Sequence, residues 1–532
     1  MSARAILDDV LATVGADPAG ASPAGGADAS GASPTIGMDP AGAPPVVGAD
    51  ASGASPTVGV DPAGASPAEE TGQPGQPGQR GEEVTLRGAD PVFPTPLRVG
   101  ELGAAAIAAS ALAAARLLAR RTGTGQQVTV DVDAAAAAMR SWTYLADTAG
   151  ATGVARPPSG AAPGGAAPGP RLFFATEDER WIFLHRRAAH HAARQERVLG
   201  SGPSDREVAE AVRRWKGAEL EEAIVAADAC AALVRSHEEW AAHEQAAAVA
   251  ELPLLEVTRI GDSDPEPAGS GDRPLGGVRV LDVTHVLAGP TCARTLAEHG
   301  ADVLRIGPGS SGDRNPMQRD TGHGKRSAVL DLKSADGAAT LRGLIGGADV
   351  FSQGYRPGAL AGLGFAPEGV AALRPGIVYV SMSAFGTRGP WQDRRGYDSV
   401  VQSVSGFCDE VAAGGEPRFL PVSALDYVTG YLAAFGAQVA LARRAAEGGS
   451  YHVQLSLAQT GRYLAGLPRT SPAERAGLPA ELPAGRLAEL LTETDTPFGR
   501  LRHLAPTAVM SRTPPRWDRP TAPMNHDAPV WE

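Results

Sequence analysis

The chain predicts an α/β protein: a Rossmann-like parallel-sheet domain, a smaller α+β domain, and a disordered low-complexity segment ahead of both. Three observations carry that expectation. From Val278 to Ser383, short continuous apolar runs alternate with helix-like segments, the pattern of a parallel sheet covered on both faces. Between Trp181 and Ala248, a strand-like run precedes three helical stretches. From Gly15 to about Glu69, an eleven-residue unit (GADPAGASPAG and its variants) occurs five times. Each unit carries Gly and Pro and almost no large apolar side chain, so neither helix nor core can form.

Met1–Val14 reads as a short amphipathic helix with Ile6, Val10, Leu11 and Val14 on one face. Residues 15–83 are the expected disordered insertion. Residues 84–262 hold a long Ala/Leu helix (Val99–Arg121), a strand (Gln127–Val132), a second Ala-rich helix (Ala134–Ala146) and a Gly/Ala/Pro loop (Gly150–Pro170). The α+β stretch follows, with a strand at Trp181–His185 and helices over Ser204–Arg214, Glu219–Ala227 and His237–Ala248. Leu252–Arg273 is polar and rich in Pro and Gly, which places a linker at 263–273. Residues 274–458 hold the Rossmann-like domain. Its strands are Val278–Val283, Val303–Ile306, Ser327–Leu332, Asp349–Phe351 and Ile377–Ser383. Its helices include Pro290–His299, with Pro in the first turn, and Gly337–Ile345. Residues 459–532 are too few for a second small domain.

Composition bounds the function. With 532 residues and 43% apolar content, the chain exceeds one ordinary domain and can bury a large core. A formal net charge of −12 excludes the basic footprint of a nucleic-acid binder. Cys230, Cys292 and Cys408 are scattered without CxxC spacing, so neither a disulfide framework nor a metal site is expected, and the reducing cytoplasm is the expected compartment. Ala104–Leu118 is too short and too weakly apolar to span a bilayer, so no membrane partner is expected. Asp8 and Asp9 interrupt what would be the apolar run of a signal peptide.

Two stretches concentrate the chemistry. LDVTHVLAGP (Leu281–Pro290) is a strand running into a helix N-terminus, without the GxGxxG of a dinucleotide site. Asp426, in LDYVTG, stands at the head of an Ala-rich helix with Thr429 and Gly430 nearby; its residue type fits either a helix cap or a nucleophile. A shift of 323 positions lays Leu97–Ala135 on Leu420–Ala458 without a gap. Arg120, Arg121, Gly125 and Val130 then fall on Arg443, Arg444, Gly448 and Val453, and Asp426 falls on Gly103. His190 and His191 are adjacent, so their side chains diverge on a helix and read as surface residues. Asp131 and Asp133 read as a solvated strand face.

PLGGVRVLDVTHVLAGPTCARTLAEHGADVLRI, the GKRSAVLDLK segment, ADVFSQGYRPGAL and YVSMSAFGTRGP together resemble a family III (CaiB/BaiF-type) CoA-transferase over roughly Pro274–Ala458. Pro91–Asp262 resembles the later part of the same fold, and the C-terminal segment resembles the family's return segment. The resemblance implies a duplicated, rearranged chain in which Asp426 is the covalent nucleophile toward an acyl-CoA thioester. It further implies coenzyme A contacts by His285, Arg305, Lys325, Arg326, Tyr355 and Arg356, and places Tyr397 and Asp398 near the acyl group. Acyl-CoA and a carboxylic acid are the implied substrates, with no permanently bound cofactor, and a homodimer is expected. Two alternatives stay open. One is a 2-methylacyl-CoA racemase of the same fold, against which Tyr397 argues because a phenol is a poor base at neutral pH. The other is a non-catalytic CoA-binding protein.

Overall fold

The computed structural model describes residues 1–15, 83–148, 170–309 and 315–532. The eleven-residue repeats, the disorder expected of them, and nearly all of the Gly150–Pro170 loop lie outside the described residues.

The apolar runs assemble one seven-stranded sheet. Its strands are β1 (Glu256–Gly261), β2 (Arg279–Val283), β3 (Asp302–Gly307), β4 (Lys325–Val329), β5 (Val350–Gln353), β6 (Val378–Ser383) and β7 (Ser450–Ser456). The order is β4-β3-β2-β5-β6-β7-β1, parallel throughout except for β1, which runs antiparallel to β7 at the edge. The chain leaves β2 in one direction for β3 and β4, then returns to the other side of β2 for β5. That reversal opens a crevice at the carboxyl ends of β2 and β5, where open α/β sheets hold ligands. β1 falls in the stretch whose composition reads as polar. An edge strand needs fewer apolar positions than a central one, and Val257 and Ile260 suffice to pack it.

Five helices frame the crevice and its support: α1 (Ala3–Ala12), α2 (Val99–Thr122), α3 (Ala288–Glu298), α4 (Asp398–Val404) and α5 (Ala424–Glu447). α1 buries the face read from the sequence, Ile6, Val10 and Leu11, against α2. α2 is long and apolar enough to cross a membrane by length and composition, but nearly all of it is buried in the fold. It packs on α5, where buried Gln438 donates to Ser110 Oγ at 2.8 Å. α5 also packs on α3. At Gly430 their backbones approach so closely that a Cβ would lie 2.5 Å from the Ala288 carbonyl oxygen.

The small α+β unit is a three-stranded antiparallel sheet of Phe173–Ala175, Trp181–Leu184 and Ala231–Leu233. Its core draws Ile182, Leu184, Val212, Leu220 and Ile224 together. Two helical expectations shorten. His237–Ala248 divides into His237–Ala241 and Glu244–Ala250, because His243 caps the second helix by accepting from the Gln245 N–H at 3.0 Å. The helix expected over Ala134–Ala146 spans only Val132–Ala138. Arg140 then turns away to the Ala480 carbonyl and the Glu481 carboxylate, and Ala146–Asp147 becomes a strand. Asp131 and Asp133 are not merely solvated, since Arg486 binds both at 2.8 Å.

The C-terminal segment returns to the first half of the chain. Gly499–Leu504 pairs with Ala146–Asp147, and Ala508–Met510 pairs with Val128–Asp131. Its end lies along β4, where Ser327 N–H donates to Asp527 Oδ2 at 2.8 Å and the Asp527 N–H returns a bond to the Ser327 carbonyl.

Candidate active site

A cavity of about 850 Å³ opens at the crevice. The turn after β2 supplies Thr284, His285 and Val286; the end of β3 supplies Arg305; the loop after β5 supplies Tyr355. The opposite wall holds Tyr397 and Asp398 at the start of α4 and Asp426 in the first turn of α5. Trp142 and His185, from the first half of the chain, complete it.

Asp426 is positioned by a cap it does not itself provide. Ser423, at the N-cap of α5, makes no side-chain cap bond. Asp398 Oδ2 instead accepts from the N–H groups of Leu425 (3.0 Å) and Asp426 (3.1 Å). The other oxygen of Asp398 accepts from the Gln402 amide, whose own oxygen accepts from the Leu420 N–H at 2.9 Å. The orphan N–H groups of a helix start are thus satisfied by a carboxylate, and the capping reading of Asp426 passes to Asp398. No hydrogen bond reaches the Asp426 side chain among the described residues. The residue is 7% exposed and lines the cavity. Burial, and then the neighbouring Asp398, push its carboxyl well above the usual range. Burial also raises Asp398 to about 6, opposed by the N–H bonds it accepts. The solution pKa of an aspartate, about 3.9, therefore does not describe Asp426, because desolvation disfavours its charged form.

The β2 turn is braced from below. Asp282, fully buried, accepts from the Thr284 N–H at 3.1 Å and from Lys325 Nζ at 2.8 Å. Lys325 also donates to the Pro290 carbonyl at 2.8 Å. Val286 stands at φ +73°, where a β-branched residue is strained and persists only if its surroundings hold it there. Above the brace, His285 meets Tyr355 edge-on with ring centroids 4.5 Å apart. Burial and then Arg305 lower its basicity, against an opposite pull from Asp282.

The structure thus gathers six of the nine residues named from the sequence: His285, Arg305, Tyr355, Tyr397, Asp398 and Asp426 all line the cavity. Arg356 lines a smaller neighbouring cavity of about 170 Å³ that also touches Tyr355, and lies 3.6 Å from Asp228. Lys325 and Arg326 line neither. Lys325 is the internal brace just described. Arg326 is paired with Asp302 at 2.9 Å and with the Val530 carbonyl at 2.7 Å. A basic pair in a GKRS run reads as a ligand contact because sequence does not display these partners. Conversely, His185, His191 and Trp142 escape a sequence reading, since nothing local ties them to Tyr397 or Asp426. The adjacent histidines do not diverge as surface residues: their ring centroids are 4.1 Å apart, and while His190 is exposed, His191 is buried and shares a 3.2 Å hydrogen bond with the Tyr397 hydroxyl. Among the described residues, no cluster of His, Cys, Asp and Glu could hold a metal ion.

The family model for CoA-transferase family III matches residues 71–263 and 275–471. A succinate–glutarate CoA-transferase of Agrobacterium fabrum is 33% identical over 203 residues, covering 35% of this chain and 51% of that protein. An acetyl-coenzyme A transferase of Hypoxylon pulicicidum is 34% identical over 241 residues, covering 42% of this chain and 41% of that protein. The chain therefore spans about half the length of the curated relatives it matches, or less. A solved CAIB/BAIF family protein from Brucella suis is similar at 27% identity, covering 43% of this chain and 65% of that chain, with a TM-score of 0.35.

Proposed function

Because the chain belongs to CoA-transferase family III, we propose that it moves coenzyme A from an acyl-CoA donor to a carboxylic acid acceptor, with Asp426 as the covalent carrier. One observation carries this reading: a buried carboxylate without a hydrogen-bond partner of its own stands in the crevice cavity, at a helix start already capped by another residue.

In the first step an Asp426 oxygen attacks the thioester carbonyl. A C–O bond forms, the C–S bond breaks, and CoA leaves as thiolate. The thiolate then attacks the aspartyl carbonyl, forming aspartyl-CoA and releasing the acyl group as a carboxylate. The acceptor carboxylate attacks aspartyl-CoA, regenerating an anhydride and thiolate. Attack of that thiolate on the acceptor's acyl carbon yields the new acyl-CoA and restores Asp426. Once Asp426 is ionised, no step consumes or releases a proton, so the exchange itself needs no general base.

Desolvation suits this use. A carboxylate held away from water and free of hydrogen bonds, once ionised, is less stabilised than in solution and attacks more readily. The small side of α5 at Thr429 and Gly430 packs on neighbouring helices: Gly430 meets Ala288 and Thr291 of α3, and Thr429 bonds Thr460 of the helix Leu457–Gly466 at 2.7 Å. These residues set the helix position instead of leaving room for an intermediate. His285, Arg305 and Tyr355, at the strand ends, form the coenzyme end of the cavity in this reading.

Incubation with acyl-CoA donors, hydroxylamine trapping and peptide mass analysis test it. The expected result is a hydroxamate at Asp426 and CoA transfer to an added acid. Absence of any adduct at Asp426 in a protein that still transfers CoA overturns the assignment.

A further inference from the structure

His185 follows the last residue of the central strand of the small unit, Trp181–Leu184. Its ring lies nearly flat on Tyr397, with centroids 4.3 Å apart and planes 18° from parallel. Tyr397 is held in turn by the 3.2 Å bond to His191 Nε2, and Cys230 Sγ lies 3.7 Å from the same nitrogen. This stack fixes the plane of the His185 ring. Its Nδ1 is buried with no hydrogen bond to another residue, which leaves Nε2 as the nitrogen open to the cavity that the residue lines. The neutral ring can carry its proton on either nitrogen, and an oxygen acceptor placed at Nε2 selects the Nε2–H form. The surrounding wall joins apolar Trp142, Leu172, Phe183, Phe419 and Leu420 to the polar Arg187 and His190. Burial pushes the imidazole down to about 4, and the ring is neutral at neutral pH.

The exchange derived above uses no proton, so a base at this position would have no task. A neutral ring held in one plane and able to donate from Nε2 does have one. We propose that His185 is a specificity-determining residue whose Nε2–H donates to a carboxylate or other oxygen in the acyl portion of the substrate, selecting oxygen-bearing acids over plain alkyl acids. The assignment rests on the CoA-thioester reading of the cavity. It adds the chemical class of the acyl group.

The test compares three probes by calorimetry: coenzyme A, butyryl-CoA, and succinyl-CoA, which has the same chain length with a terminal carboxylate. The variants are His185→Phe, which keeps an aromatic ring on Tyr397 without its nitrogens, and His185→Gln, which keeps an amide donor. Wild type is expected to favour succinyl-CoA over butyryl-CoA. His185→Phe should weaken succinyl-CoA by about tenfold or more, the loss of one hydrogen bond to a charged group. Its binding of coenzyme A and butyryl-CoA should stay within about twofold, well under the 1.4 kcal/mol of a tenfold change. His185→Gln should recover part of the loss, and carries the test if the Phe variant misfolds. Equal weakening of all three probes, or no preference in wild type, overturns the proposal. These readouts need no turnover, so failure of the transfer reading shows separately, as absence of an Asp426 adduct in wild type.

Discussion

Helices α2 and α5 each run for 24 residues, each begin without a capping side chain of their own, and each borrow an aspartate from earlier in the chain. Asp90 accepts from the N–H groups of Gly100 (3.2 Å) and Glu101 (2.7 Å), as Asp398 does from those of Leu425 and Asp426. Burial lifts both carboxyls to about 6. The two helices part at one position. A Cβ on Gly103 would lie 2.6 Å from the Met139 methyl, so packing fills the space in front of it. Its counterpart Asp426 faces the large cavity. A capped helix start is therefore scaffold that both copies share, and in the proposed chemistry reactivity depends on whether space and a carboxylate coincide in front of it.

The largest test of that contrast removes the carboxylate. Asp426→Asn is expected to lower CoA transfer by about 10⁴-fold or more, the scale seen when a covalent nucleophile is lost, and to abolish the trapped adduct. Steady-state rates and mass analysis measure it, and near-wild-type turnover would dissolve the distinction between the copies. The reciprocal change, Gly103→Asp in an Asp426→Ala background, should restore no activity. It should destabilise the fold by about 3 kcal/mol, because a carboxylate enters a filled site near buried Glu101 without a cation of its own; urea unfolding measures the loss. Gly430→Ala forces α5 from α3 and is expected to cost about 1–3 kcal/mol, with a fall in kcat larger than any change in coenzyme A binding.

The smallest effects are in pH dependence. Asp398 is one cause of the raised Asp426 carboxyl, so Asp398→Asn should move the acid limb of kcat/KM to lower pH. An unmoved limb would assign the shift to burial alone. A carboxyl raised on folding adds stability that is complete below its unfolded pKa and is lost as pH rises through the folded value. For Asp398 that loss spans the interval from the ordinary carboxylate value of 3.8 up to about 6. Melting temperatures across this range should therefore fall less steeply in Asp398→Asn than in wild type.

Much of the fold is legible from short-range pattern. The strands from Val278 to Ser383 read as apolar runs because a parallel strand is buried on both faces. The face of α1 reads from its spacing, and α2 and α5 read as one duplicated unit. β1 is less legible, since its edge position relaxes the apolar requirement. The break at His243 depends on a side chain turning back to cap a helix. In the site, Asp426 and the β2 turn stand out because special residue types cluster within a few positions.

Lys325 shows where such reading ends. Its sequence surroundings match a ligand-binding cation, yet the carboxylate it meets, Asp282, comes from a neighbouring part of the sheet, and with that pairing the charge is spent on bracing the turn. Tyr397 shows the converse. A phenol beside Asp398 reads as chemically quiet, and only the packing of the small unit stacks His185 on it. By itself the sequence determined most central strands, the long helices and the duplication, and marked Asp426 as the carboxylate proposed to attack, because periodicity and residue type act over a few residues. Tertiary structure decided which cations remain available, which aspartate caps and which faces the cavity, because burial and hydrogen-bond partners are set by side chains that only folding brings together.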